Sequence, residues 1–227
     1  MKTMTRALVA SFLTIVVILL SIPQAHAQDL STYRNFSFGM TVADLCKQIQ
    51  QNPATAAVVH ERPDLIQELT FWPPQPYSAL RPAEPLQQIL FSFDDGVLYR
   101  MLLTYDTSAT KGLTDEDMIR IVSAKYGTAT RPDAVVNFPT NPSYKTTEKV
   151  LARWEDSQYS LNLFRSSEDT FAMVMFKKQS DAQAGVSIAE SVKLEREEAP
   201  QKEAARVKKD AADLELERQK NMKTLRP

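Results

Sequence analysis

Val42, Leu45, Cys46 and Ile49 recur at the i, i+3, i+4, i+7 spacing that lays apolar side chains along one stripe of a helix. Thr41, with Asp44 three residues on, supplies an N-terminal cap, and Pro53 closes the segment, so the spacing predicts a helix over 42–51. A second stripe, Met118, Ile119, Ile121 and Val122, follows Thr114 and the acidic turn Asp115-Glu116-Asp117, and stops at Gly127. Elsewhere the pattern changes to runs of β-branched and aromatic residues. The run over 66–72 ends at Pro73-Pro74, which cannot donate to a ladder. The runs 89–93 and 97–105 are joined by Asp94-Asp95-Gly96, a strong hairpin signal. Three more strands are predicted over 149–155, 158–165 and 170–178, linked by short polar turns into a meander.

The two helix starts match each other. Gly39-Met40-Thr41-x-x-Asp44-Leu45 overlays Gly112-Leu113-Thr114-x-x-Asp117-Met118 at an offset of 73 residues, and each predicted helix precedes three predicted strands. The expected fold class is therefore α+β: two α-β-β-β repeats, about 36–106 and 112–178, forming one antiparallel sheet of about six strands with both helices on one face. Seven of the thirteen prolines lie between Pro53 and Pro85, and the stretch 73–85 reads as a stiff extended connection.

Residues 1–27 read differently. Lys2 and Arg6 precede a charge-free apolar run from Ala7 to Ile22, then Pro23 and the small-residue pattern Ala25-His26-Ala27. That order is expected of a secretory signal peptide cleaved before Gln28, leaving a domain over 28–180 and a tail over 181–227 in a periplasmic or secreted protein without a membrane span. Gln28 is not the cysteine that lipid attachment needs. The 27 basic and 28 acidic residues nearly cancel, so no global field draws the chain to nucleic acid or an anionic bilayer. Cys46 is the only cysteine, and it lies on the first helical stripe, where a buried thiol is expected. His60 is the only histidine after the leader. A metal site of several His and Cys ligands is thereby excluded, and any Ser-His or Cys-His pair would have to use His60. No cofactor is expected.

The Gly-Met-Thr-x-x-acid-apolar helix start at Gly39–Leu45, before a small antiparallel sheet in an exported chain, resembles the SmpA/OmlA (BamE) outer-membrane assembly proteins. Tandem units of this size are also similar to the β-lactamase inhibitory protein. The chain departs from the pattern in lacking a lipobox cysteine and the usual Leu-Gly-x-Pro helix ending, and in adding the proline-rich stretch and a long tail. The resemblance implies an envelope protein that binds other proteins, and it transfers no functional residue.

Residues 181–227 carry ten basic and ten acidic side chains and no aromatic. Ser187 with Glu190 reads as a cap opening a helix towards 198, and Pro200 as the first turn of a second helix. Val207, Ala211 and Leu214 make a seam that Arg218 and Asn221 interrupt, too poor for a long coiled coil. A solvated helix is expected, or one that docks a partner.

Candidate chemistry is sparse. The acidic pairs Asp94-Asp95, Glu155-Asp156 and Glu168-Asp169 all fall at predicted turns, which account for them without catalysis. Arg100, Thr104, Arg153, Ser160 and Asn162 alternate with apolar neighbours and are expected on an uncovered sheet face, the candidate partner-binding surface. The sequence thus points to a non-catalytic protein that binds another protein or an envelope component. Two alternatives stay open: a hydrolase using paired carboxylates, and an adaptor that docks through its tail.

Overall fold

A computed structural model describes residues 29–74, 85–138, 147–166 and 169–225. The segment expected to be a signal peptide, most of the proline-rich stretch, Pro139, Pro142 and Glu168 lie outside the described residues. The elements in chain order are a small hairpin β1 (Thr32–Tyr33) and β2 (Phe36–Ser37), then helix α1 (Val42–Ile49) and strands β3 (Ala57–His60), β4 (Ile66–Phe71), β5 (Leu86–Asp94) and β6 (Val97–Tyr105). Helix α2 (Asp115–Tyr126) follows, with β7 (Val135–Asn137), β8 (Thr147–Glu155), β9 (Tyr159–Arg165), β10 (Phe171–Lys177) and the long helix α3 (Lys178–Thr224).

Both short helices form where their caps place them. The Thr41 and Thr114 side chains accept from the backbone N–H groups of Asp44 and Asp117, and at Thr114 the Asp117 carboxylate also accepts from the Thr114 N–H, completing a capping box. Asp95 and Gly96 both adopt positive φ, 47° and 75°, which gives the β5–β6 connection the twist of a tight hairpin.

The main sheet is antiparallel, and its order is β3-β4-β5-β6-β10-β9-β8-β7. Each short helix is thus followed by a four-stranded meander, and the two meanders meet where β6 pairs with β10. The sheet has eight strands rather than about six. The extra pair, β3 and β7, forms its two edges. Each is too short to show a period, and pairing with the neighbouring strand makes it extended.

One face of the sheet carries the principal core. Leu45 and Cys46 of α1 and Met118, Ile119, Val122 and Tyr126 of α2 pack in one cluster with Phe91, Phe93, Met101, Trp154, Leu163 and Met173. Trp154 also donates its indole N–H to the Gly127 carbonyl, 2.9 Å away, fixing the end of α2 to β8. Phe36 of the small hairpin meets Phe91 edge-on at 4.9 Å between ring centroids.

The other face is also covered, which corrects the expectation of an open sheet surface. Val136 and Phe138 pack with Leu90, Leu102, Phe164 and Val174, and Ala184 and Ile188 of α3 pack with Ile66 and Tyr99. Tyr99 reaches that side through a bulge: Leu98 opposes Phe93 and Arg100 opposes Ser92, leaving Tyr99 as the extra residue. The tail begins packing earlier than its composition implies. Helix α3 starts at Lys178 and buries Ala184, Ser187, Ile188 and Ser191, so 181–198 belongs to the folded body. Pro200 lies inside this single helix and does not open a second one.

Candidate functional site

The five polar residues singled out by alternation do share one face. Arg100 and Ser160 both stand opposite Phe176, Asn162 stands opposite Val174 and Arg153, and Thr104 stands opposite Ala172. They are not a wet surface. Thr104, Ser160 and Asn162 are buried, Asn162 completely. Burying an amide demands partners, and Asn162 has them: its Nδ2 donates to Ser160 Oγ at 3.0 Å, and its Oδ1 accepts from Arg153 Nε at 2.6 Å. The Ser160–Asn162 pair therefore sets the orientation of the Arg153 guanidinium. Thr104 lies further along β6, away from this group.

Arg100 is engaged on every side. Its Nε and Nη2 donate to the two carboxylate oxygens of Asp181 at 2.7 and 3.2 Å, and its Nη1 donates to the Asn137 carbonyl at 2.7 Å. The guanidinium also lies over the rings of Phe176 and Phe138, 5.5 and 5.9 Å from their centroids. The two side chains of the ion pair are only 13% and 19% exposed, so the pair is shielded from water and screened little by salt. One residue thus ties together the sheet, the end of β7 and the first turn of α3.

Between these elements opens a cleft of about 290 Å³, lined by Arg100, Arg153, Val136, Phe176, Asp181 and Ile188, among others. Its walls are partly apolar. Arg100 and Asp181 neutralise each other, and among the described residues Arg153 is the uncompensated charge of the lining. Gly185 of α3 also lines the cleft, and a Cβ added there would meet nothing within 4 Å.

A second cleft, about 320 Å³, lies between β3, the segment after it and α3. Most of its ionisable side chains are paired: His60 Nδ1 lies 3.0 Å from Glu195, Arg62 donates to both oxygens of Glu198 at 2.8 Å, and Lys202 lies 3.1 Å from Glu198. His60 thus faces a carboxylate of the tail. Cys46 is held in the core under α1, its thiol pushed up by burial.

In two of the acidic pairs the first member ends a strand, Asp94 in β5 and Glu155 in β8, and the second member does the turn chemistry. Asp95 accepts from the Leu65 N–H, and Asp156 accepts from the N–H groups of Gln158 and Tyr159. Asp94 stands apart. Burial, and then the neighbouring Asp64 and Asp95 carboxylates, hold its carboxyl above the ordinary range, but it lines neither of the two clefts.

Beyond the second cleft, α3 leaves the body. Every described residue from Ala199 onward is exposed, including Val207, Leu214, Leu216 and Met222. Intrahelical pairs, Glu203 with Arg206 and Glu215 with Arg218, support this stretch.

Sequence reasoning missed Asp181, Ser187 and Glu198, the tail residues that grip the body. Their signal was the small-residue stripe Ala184, Ser187, Ile188 and Ser191, masked by the charges around it. Among the described residues no helix is long and apolar enough to cross a membrane, and no group of three or more His, Cys, Asp or Glu is placed to hold a metal ion. No family model, curated protein or solved structure matches the chain.

Proposed function

We propose that the chain is an exported, non-catalytic protein that binds another protein or an envelope component, and that it works as an adaptor through α3. The observation that carries this reading is the division of α3 into a docked half and a free half. The docked half is held by Arg100–Asp181 and Arg62–Glu198, and the free half, exposed at every described residue, runs for roughly 40 Å at 1.5 Å per residue. A helix of mixed charge gains little stability from standing alone in water. Its retention as an arm fixed at its base supports contact with a partner. The Ala25-His26-Ala27 pattern supports export.

We also read the two halves of the sheet as copies of one ancestral unit. Gly39 and Gly112 both take positive φ, 92° and 82°, and each leads into a threonine cap with an aspartate three residues on, so the matched motif adopts one conformation twice.

Site-specific photocrosslinking in the source envelope tests the adaptor reading. A crosslinker at Leu214 captures a defined partner, and one at Arg120 on the exposed side of α2 does not. Equal capture from both positions, or none from any position in 204–222, overturns the arm as the binding element.

A further inference from the structure

We infer that the cleft at the base of α3 is a ligand site for a carboxylate carried on a small apolar group, held by Arg153. Four observations converge on this class. First, Arg153 uses only its Nε within the fold, on Asn162 Oδ1, and among the described residues its Nη nitrogens have no hydrogen-bond partner. The outer edge of a guanidinium presents two parallel N–H donors, which match the two oxygens of a carboxylate.

Second, the group is held in place before any ligand arrives. Asn162 is fully buried and is itself tied to Ser160, so Arg153 hangs from a network within the sheet rather than from a mobile surface stem. Preorganisation of this kind lowers the entropy lost on binding.

Third, the charge balance selects a monoanion. Asp181 cancels Arg100, and its carboxylate faces the same cleft, so one net positive charge is available and a dianion would bring a second charge with no counterpart. Fourth, the remaining walls include Val136, Phe176 and Ile188, and the volume of about 290 Å³ has room for on the order of ten waters or a ligand of similar bulk. A carboxylate with an aliphatic or aromatic body satisfies both ends.

The same chemistry is offered by a free organic acid and by the C-terminal residue of a peptide. Titration of the mature full-length chain by calorimetry distinguishes them, using 3-phenylpropionate for the first source and N-acetylphenylalanine for the second. Inorganic phosphate and the neutral N-acetylphenylalanine amide serve as controls. Binding of either acid, with at least tenfold weaker binding of the amide and of phosphate, is the expected result. The acid that binds more tightly identifies the source. Arg153→Gln weakens the acids by tenfold or more, and Gly185→Leu, which extends a side chain from a position with open space around its Cβ, blocks them without touching Arg153. Equal binding of acid and amide, failure of both acids to bind, or undiminished binding by Gly185→Leu overturns the assignment. The described residues that line the cleft end at Ile188, so loss of the free arm leaves them in place, and the two readings fail separately.

Discussion

Arg100 of β6 and Asp181 of α3, 81 residues apart, form a forked ion pair whose nearer contact is 2.7 Å, and through it the first turn of the tail helix is anchored to the middle of the sheet. Removing the carboxylate leaves a largely shielded guanidinium that keeps, among the described residues, the Asn137 carbonyl and two aromatic faces.

Asp181→Ala is therefore expected to cost about 2–3 kcal/mol of folding stability, more than a surface pair would. A double-mutant cycle with Arg100→Met checks the origin of the loss. A coupling below ~0.5 kcal/mol would mean that the pair adds nothing beyond its separate packing.

Truncation separates the two halves of α3. A chain ending after Ala199 keeps the described contacts with Asp181, Ser187, Ile188, Ser191 and Glu198, and its thermal midpoint stays within a few degrees of the full chain. A chain ending after Ser180 loses buried Ile188 and the partner of Arg100, and falls by at least ~3 kcal/mol. Equal midpoints for the two truncations would show that the docked half contributes nothing.

Much of this architecture was legible along the chain. The hairpin at Asp95-Gly96, both threonine caps and six of the eight main strands declare themselves through local chemistry that needs no tertiary context. The edge strands did not: Ala57–His60 has four residues, and Val135–Asn137 has three with Pro132 close before it, too short for a period of two to register. Alternation placed Arg100, Arg153, Ser160 and Asn162 on one face correctly. What covers that face is decided by contacts across 81 residues, which no local pattern reports. Ser187 shows the same limit. Its hydroxyl reads as a helix cap, yet it donates to the Asp64 carboxylate 123 residues away.

Cys46 is completely buried, and burial pushes its thiol above the ordinary range. A soluble maleimide should label it slowly in the native protein at pH 8 and rapidly once denaturant is added. Fast native labelling would show that α1 opens readily from the sheet.

Asp94 gives folding stability a pH dependence of known sign. Its carboxyl is raised above 3.8 by burial first and then by Asp64 and Asp95. The folded chain thus keeps a proton that the unfolded chain has already released. Its contribution to stability declines as pH rises from the unfolded value through the raised folded one. Asp94→Asn should raise the thermal midpoint by a few degrees at pH 8 and leave it unchanged at pH 3. An equal shift at both pH values would trace the effect to shape rather than charge.

Thr114→Ala removes one half of the capping box of α2 and should cost ~1 kcal/mol in urea unfolding. Thr114→Ser should restore most of the loss, because the hydroxyl is what accepts the Asp117 N–H. A serine variant as weak as alanine would assign the effect to the threonine methyl group.

Pro200 stands one residue past the last docked turn of α3, where it has no N–H to give to the carbonyl of Arg196. The helix is thereby weakest in bending at the border between its gripped and its free portion. A pull on the far end is absorbed first at that joint, before it reaches the anchors at Asp181 and Glu198. Bending at that joint would redirect the free length while leaving the folded body beneath it unloaded.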